Sequence, residues 1–305
     1  MIEKSRQLNI WGKTVEKGVE RLLDEDPFLS KLDITFWDKF QILFYPEKFL
    51  LFSVVRKALQ NKKKENNDDG KFFKLKILDV GCASGAMIID LKKMWGKQIE
   101  VYGVDSVNLQ VDLARQKIKE HGVWAELQYY DGNLLPFKND YFDVVISSGE
   151  LNKFYDTYNW IEEVSRVLVV GGRLACICDS KLGKNSYVAN YLDKKGIDLD
   201  ENSQNFFQSK EKLKDLLEQN NFKIKRLYNV FGSSFILHPE KYFDVLKKQK
   251  KFLFWRLFNK LFFAIKKKSP VFLKRFFGFC MLLKILIVGR LWKDRGYVVL
   301  ARKKG

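Results

Sequence analysis

From residue 75 onward, short apolar runs alternate with amphipathic stretches, and few folds accept that alternation. Residues 75–80 (LKILDV) predict a buried strand and residues 85–94 a helix. The pattern repeats as a strand over 99–104, a helix over 109–120 and a strand over 124–129. Further strands are expected over 142–147, 172–178, 222–231 and 296–301, with helices over 160–169 and 210–220. Strands spaced by helices predict an α/β fold with a mostly parallel, doubly wound sheet. Ligands of such sheets lie beyond the carboxyl ends of the strands, where the strand order reverses.

The first strand runs straight into a turn built for close approach. Ile77-Leu78-Asp79-Val80 leads to Gly81-Cys82-Ala83-Ser84-Gly85 and then into a helix. Glycines there let the backbone bend sharply and come near a ligand. The next strand ends in Asp105, where a carboxylate can accept both hydroxyls of a ribose. A nicotinamide dinucleotide is one candidate for this loop, through a degenerate Gly81-x-Ala83-x-x-Ala86. A pyrophosphate, however, needs a true glycine at the second place, and this chain has Ala83.

Later segments add to the pattern. Tyr130-Asp131-Gly132-Asn133-Leu134-Leu135-Pro136-Phe137 follows the third strand, and Phe142-Asp143 through Ser147-Ser148 forms the fourth. Arg166-Val167-Leu168-Val169-Val170-Gly171-Gly172 turns into the fifth, and Gly296-Tyr297-Val298-Val299-Leu300 opens the last. With the glycine loop, these marks resemble the class I S-adenosylmethionine-dependent methyltransferases, in particular the ubiquinone/menaquinone-biosynthesis branch. The resemblance covers roughly residues 70–235 and 295–305. It implies a Rossmann-like sheet with an antiparallel last strand, an enzyme that transfers a methyl group, and S-adenosyl-L-methionine as cofactor. It also implies site roles. Asp79 and the backbone of Gly81, Ala83 and Gly85 would face the methionine part, and Asp105 the ribose. Asp131 with Gly132 would read the adenine edge, and Ser147 would lie beside the methyl.

The methyl acceptor is less legible. Many relatives carry a Glu-His pair after the fourth strand, whereas this chain reads Glu150-Leu151-Asn152-Lys153, with Lys153 in the place of that His. Glu150, Tyr155 and His238 are the alternatives for a base, and none has a motif behind it. His121 sits at a helix end, where an imidazole commonly caps carbonyls. The Asn/Asp-Pro-Pro-aromatic loop of base-amino methylation is absent after Ser147, so a nucleic-acid substrate is disfavoured.

Charge divides the chain. Residues 241–305 hold nineteen Lys and Arg against Asp244 and Asp294, a surplus of 17, while residues 1–240 carry a surplus of one. A nearly neutral body with one intensely basic segment suits a local attraction to an anionic surface. Within that segment, residues 252–265 and 271–288 alternate Phe and Leu with Lys and Arg at helical spacing, and Arg256, Asn259, Lys260 and Lys267 share a polar stripe. Relatives cross from the sixth strand to the last by a short turn, so this stretch is an insertion. Two uses are open: a lid whose apolar face packs on the domain, or a foot on an anionic membrane.

The expected organisation is an N-terminal helical cap and linker over 1–70, with the linker at 61–70. A methyltransferase core follows over 71–240, then the basic insertion over 241–292 and a last core strand over 293–305. The four cysteines read as buried apolar residues, with no metal-ligand spacing. The first residues are charged and show no secretory signal, and the apolar run at 276–289 is short and interrupted by Lys284. A cytoplasmic enzyme, peripheral on the inner membrane face, is expected, acting on a small or lipid-linked acceptor. The alternatives are an RNA methyltransferase that uses the basic segment, or a cofactor-binding or membrane scaffold that has lost catalysis.

Overall fold

The structure is a computed structural model that describes residues 40, 46–65, 73–148, 157–179, 210–229, 253–269, 272, 273, 275, 276, 278–280, 283 and 296–305. A helix α1 (Pro46–Glu65) precedes strand β1 (Leu75–Val80), helix α2 (Ala86–Trp95), β2 (Ile99–Asp105), α3 (Asn108–Glu120) and β3 (Glu126–Tyr129). The second half runs β4 (Phe142–Ser148), α4 (Thr157–Val167), β5 (Leu168–Asp179), α5 (Lys210–Gln219), β6 (Phe222–Asn229), α6 (Leu253–Lys268) and β7 (Gly296–Lys303).

Seven strands form one sheet in the order β3-β2-β1-β4-β5-β7-β6. The five from β3 to β5 are parallel, and β7 runs antiparallel between β5 and β6. The reversal of order between β1 and β4 places the switch point at the carboxyl ends of β1, β2 and β4. This is the Rossmann-like methyltransferase sheet the sequence predicts, with the last strand antiparallel.

Strand side chains alternate between two buried layers, as a period of two requires. Ile77, Val101, Val144 and Ile146 join α1, α2 and α3 on one face. Leu78, Val80, Val104 and Val145 pack with Trp160, Ile161 and Val164 of α4 and Leu213 and Leu217 of α5 on the other.

Helix α1 belongs to the first layer. Pro46 starts it, at the position where a missing N–H costs nothing. Leu50, Leu51, Val54, Val55 and Ala58 are buried. Two ion pairs hold the helix down. Lys48 Nζ reaches the fully buried Asp90 of α2 at 2.6 Å. Lys62 Nζ bridges both Asp143 oxygens at 2.6 Å, and Asp143 also accepts the Lys76 N–H. The helix continues to Glu65, so the first half of the polar stretch at 61–70 is helical and not linker.

Other boundaries also differ from expectation, and β3 begins at Glu126 rather than residue 124. Helix α4 ends at Val167 and β5 begins at Leu168, not at residue 172. Leu168 pairs with Phe142, and a register shift between Phe142 and Val144 absorbs the glycines that follow. Of the cysteines, Cys82 and Cys176 are buried as expected, but Cys280 is exposed.

Gly103 of β2 brings α2 onto the sheet. A Cβ there would lie 2.5 Å from Ile88 Cδ1, 2.7 Å from Leu127 Cδ2 and 3.1 Å from Cys82 Cβ. All three side chains are buried. Gly103→Ala is therefore expected to destabilise the protein by about 1–3 kcal/mol through overpacking, read as a lower urea midpoint with an unchanged slope.

Candidate active site

The turn after β1 is fixed by hydrogen bonds to β2. The Gly81 and Cys82 amides both donate to the Val104 carbonyl, at 2.8 and 3.0 Å. Gly81, Ala83 and Gly85 all adopt positive φ, at 76°, 46° and 79°. For Gly81 and Gly85 this is free, but for Ala83 it costs about 1–2 kcal/mol. The cost is met by a tether: the Ala83 N–H donates to Asp105 Oδ2 at 2.9 Å. Gly85 then caps α2, its carbonyl accepting the Ile89 amide, and Ala114 lies 3.1 Å from where a Gly85 Cβ would be.

Asp105, the last residue of β2, organises the edge. It is buried, and its Oδ1 accepts the Val107 amide at 3.0 Å while its carbonyl accepts the Tyr130 amide at 3.2 Å. One residue thus ties together the glycine turn, the start of α3 and the exit of β3.

The remaining residues singled out in the sequence fall on the same edge. Asp79 is buried one residue before the end of β1, in register with Gly103 and Ile146. Ser147, next along β4, is fully buried. Asp131 and Gly132 leave β3 two residues beyond Tyr129, which pairs with Asp105. Asp131 differs from the other acids in being exposed. Its Oδ1 accepts the Asn133 and Leu134 amides and its Oδ2 the Asn133 side-chain amide, a turn closed by Gly132 at φ 87°. Glu150, Lys153, Tyr155 and His238 lie outside the described residues. His121 caps the end of α3, its Nδ1 3.2 Å from Lys93 Nζ.

Three buried polar atoms at this edge have no hydrogen-bond partner among the described residues: Ser84 Oγ in the turn, Ser147 Oγ on β4 and Gln110 Oε1 in the first turn of α3. Buried polar groups are normally paired. Unsatisfied groups beside a turn of backbone amides fit a ligand that carries its own donors and acceptors, as an amino-acid nucleoside does. Ser84 and Gln110 carry no motif, and only their burial in the folded chain singles them out.

Arg166 shapes the loop between β3 and β4, a role its place in a motif does not announce. Its Nε and one terminal nitrogen grip both Glu163 oxygens at 2.7 and 2.8 Å. The same fork donates to the carbonyls of Leu135 and Phe137 and to Asn139 Oδ1. Glu163 in turn accepts the Leu135 amide at 2.8 Å. The bond to Glu163 raises the Arg166 pKa against the opposing effect of burial, so the guanidinium stays charged.

A family model described as a methyltransferase domain matches residues 77–172. The demethylmenaquinone methyltransferase of Lactobacillus johnsonii is 31% identical over 177 residues, covering 50% of this chain and 72% of that protein. The chain belongs to the class I S-adenosylmethionine-dependent methyltransferases. The ubiquinone/menaquinone biosynthesis C-methyltransferase UbiE of Vibrio parahaemolyticus is another relative of this methyltransferase, 27% identical over 181 residues, covering 53% of this chain and 70% of that one. Among solved structures, a SAM-dependent methyltransferase from Aquifex aeolicus aligns with a TM-score of 0.43 at 19% identity, over 54% of this chain and 82% of that one. As a member of this class the protein is a transferase whose cofactor is S-adenosyl-L-methionine.

Proposed function

We propose that this methyltransferase moves a methyl group to the ring of a quinone-type, lipid-linked acceptor at an anionic membrane surface on the cytoplasmic side. Relatives named for ubiquinone, menaquinone and demethylmenaquinone support the acceptor class. The basic segment at 241–305 supports the surface.

The residue roles we propose are those the family resemblance implies. By that resemblance, Asp105 holds the ribose hydroxyls. Asp79 and the backbone at Gly81, Ala83 and Gly85 face the methionine part. Asp131 and Gly132 border the adenine, and Ser147 stands beside the methyl. The observation that supports this placement is the 2.9 Å bond from the Ala83 amide to Asp105, which brings turn and carboxylate together.

When bound, the cofactor supplies an electrophilic methyl on a sulfonium. The protein's task is then alignment, which can contribute about 7–11 kcal/mol. Methylation of a ring carbon also releases a proton, and Glu150, Tyr155 and His238 are the candidates to accept it.

The test is purified protein with methyl-labelled S-adenosylmethionine and either a demethylated quinone kept reduced to its hydroquinone with excess dithionite in detergent, or total RNA. Label in the quinone is the expected result. Label in RNA alone, or in neither despite cofactor binding, would reject the acceptor class.

A further inference from the structure

Helix α6 is amphipathic in reverse. At about 100° per residue, Leu253, Leu257, Leu261 and Ala264 form one line along it, with Phe254 and Phe258 beside them. That line faces solvent: Phe254 is 62% and Leu257 58% exposed. Asn259, on the opposite side, is 1% exposed. The helix therefore buries its polar Asn259 while Leu253, Phe254, Leu257 and Leu261 stand in solvent. Phe272 and Phe276, beyond the helix, are exposed as well, their rings stacked 6.1 Å apart. Contiguous apolar surface of this kind marks a contact with something other than water.

Charge decides what that contact is. Helix α6 holds five Lys and Arg and no acid. Lys260, Lys267 and Lys268 are exposed along the margins and end of the apolar line. Lysine stems can lie along lipid while their ammonium groups reach anionic headgroups. No helix among the described residues is long and apolar enough to cross a membrane, so the geometry is that of a helix lying in the interface.

We infer that the outward face of α6 docks the protein on an anionic phospholipid surface, with Leu257 and Leu261 entering the acyl boundary and Lys260, Lys267 and Lys268 pairing with headgroups. This deepens the lipid-linked reading and rests on it for its purpose, while its test makes no use of methyl transfer.

The test is flotation of the full chain with phosphatidylcholine vesicles, with and without phosphatidylglycerol. The chain should float with the anionic vesicles and stay behind with the neutral ones. Leu257→Glu with Leu261→Glu replaces exposed side chains only, so its melting temperature should match wild type while vesicle partitioning falls about tenfold or more. Lys260→Glu with Lys267→Glu should lose binding to the anionic vesicles at an unchanged melting temperature. Equal flotation of wild type and the leucine variant would overturn the inference. So would wild type remaining in solution, or light scattering that shows the leucines holding a dimer. Calorimetric titration of S-adenosylmethionine on the same samples keeps the readings apart. Cofactor binding without flotation rejects the docking surface alone, and flotation without cofactor binding rejects the site alone.

Discussion

Asp105→Ala should lose at least an order of magnitude in affinity for S-adenosylmethionine, about 1.4 kcal/mol or more, when titrated calorimetrically against wild type. Two effects add. On the proposed placement the ribose hydroxyls lose their acceptor, and the turn that carries Ala83 loses its tether. The half-buried Ala83 and Val107 amides would be left without their acceptor, at a cost each below the about 1–3 kcal/mol of a fully buried unsatisfied donor. Ala83 would then be free to leave its left-handed conformation. The variant should therefore also unfold at lower urea. Asp105→Asn separates the two effects. It keeps one side-chain oxygen for an amide, so much of the stability should return, while the neutral group holds the ribose less well. An Ala variant that binds as wild type does would mean the ribose lies elsewhere.

What the sequence disclosed and what it hid divide along one physical line. Features set by local pattern were readable. The apolar run LKILDV becomes β1 at its expected bounds, and the turn with its acid at the end of β2 meet as the spacing implies. Features set by partners distant in the chain were not. The run Leu168-Val169-Val170 continues a helical pattern on paper, yet Phe142 recruits it into β5. Gly103 looks like any strand glycine until Ile88 and Leu127 close over it. Periodicity showed that α6 has an apolar side and a polar one, but not which of them faces the protein. The polar stripe itself divides, with Asn259 buried while Lys260 and Lys267 stay exposed. Arg166 is the fullest case. Its motif could be matched in the sequence, but its acceptors lie about thirty residues away.

Those acceptors make Arg166→Ala the most damaging single change we expect. The substitution removes five hydrogen bonds at 2.7–3.0 Å and leaves the Glu163 carboxylate, buried and still holding the Leu135 amide, without its cation. Breaking such a pair from one side typically costs about 3–5 kcal/mol, and Arg166 is only a quarter exposed, so little of that is screened. The loss should reach the cofactor too. Leu135 and Phe137 anchor the loop that begins at Asp131, and a loosened loop presents Asp131 and Gly132 poorly. Urea unfolding should show the stability loss, and titration at low temperature, where the variant is still folded, should show weaker cofactor binding. Arg166→Lys should recover little, because an ammonium cannot reproduce a planar fork that spans a carboxylate and two carbonyls. Glu163→Gln with Arg166→Met removes both charges, and it should be less harmful than Arg166→Ala alone if the stranded carboxylate is the main cost. Were the double variant the worse of the two, the fork's bonds to the Leu135 and Phe137 carbonyls would be the larger contribution, and the loop rather than the ion pair would be what Arg166 protects.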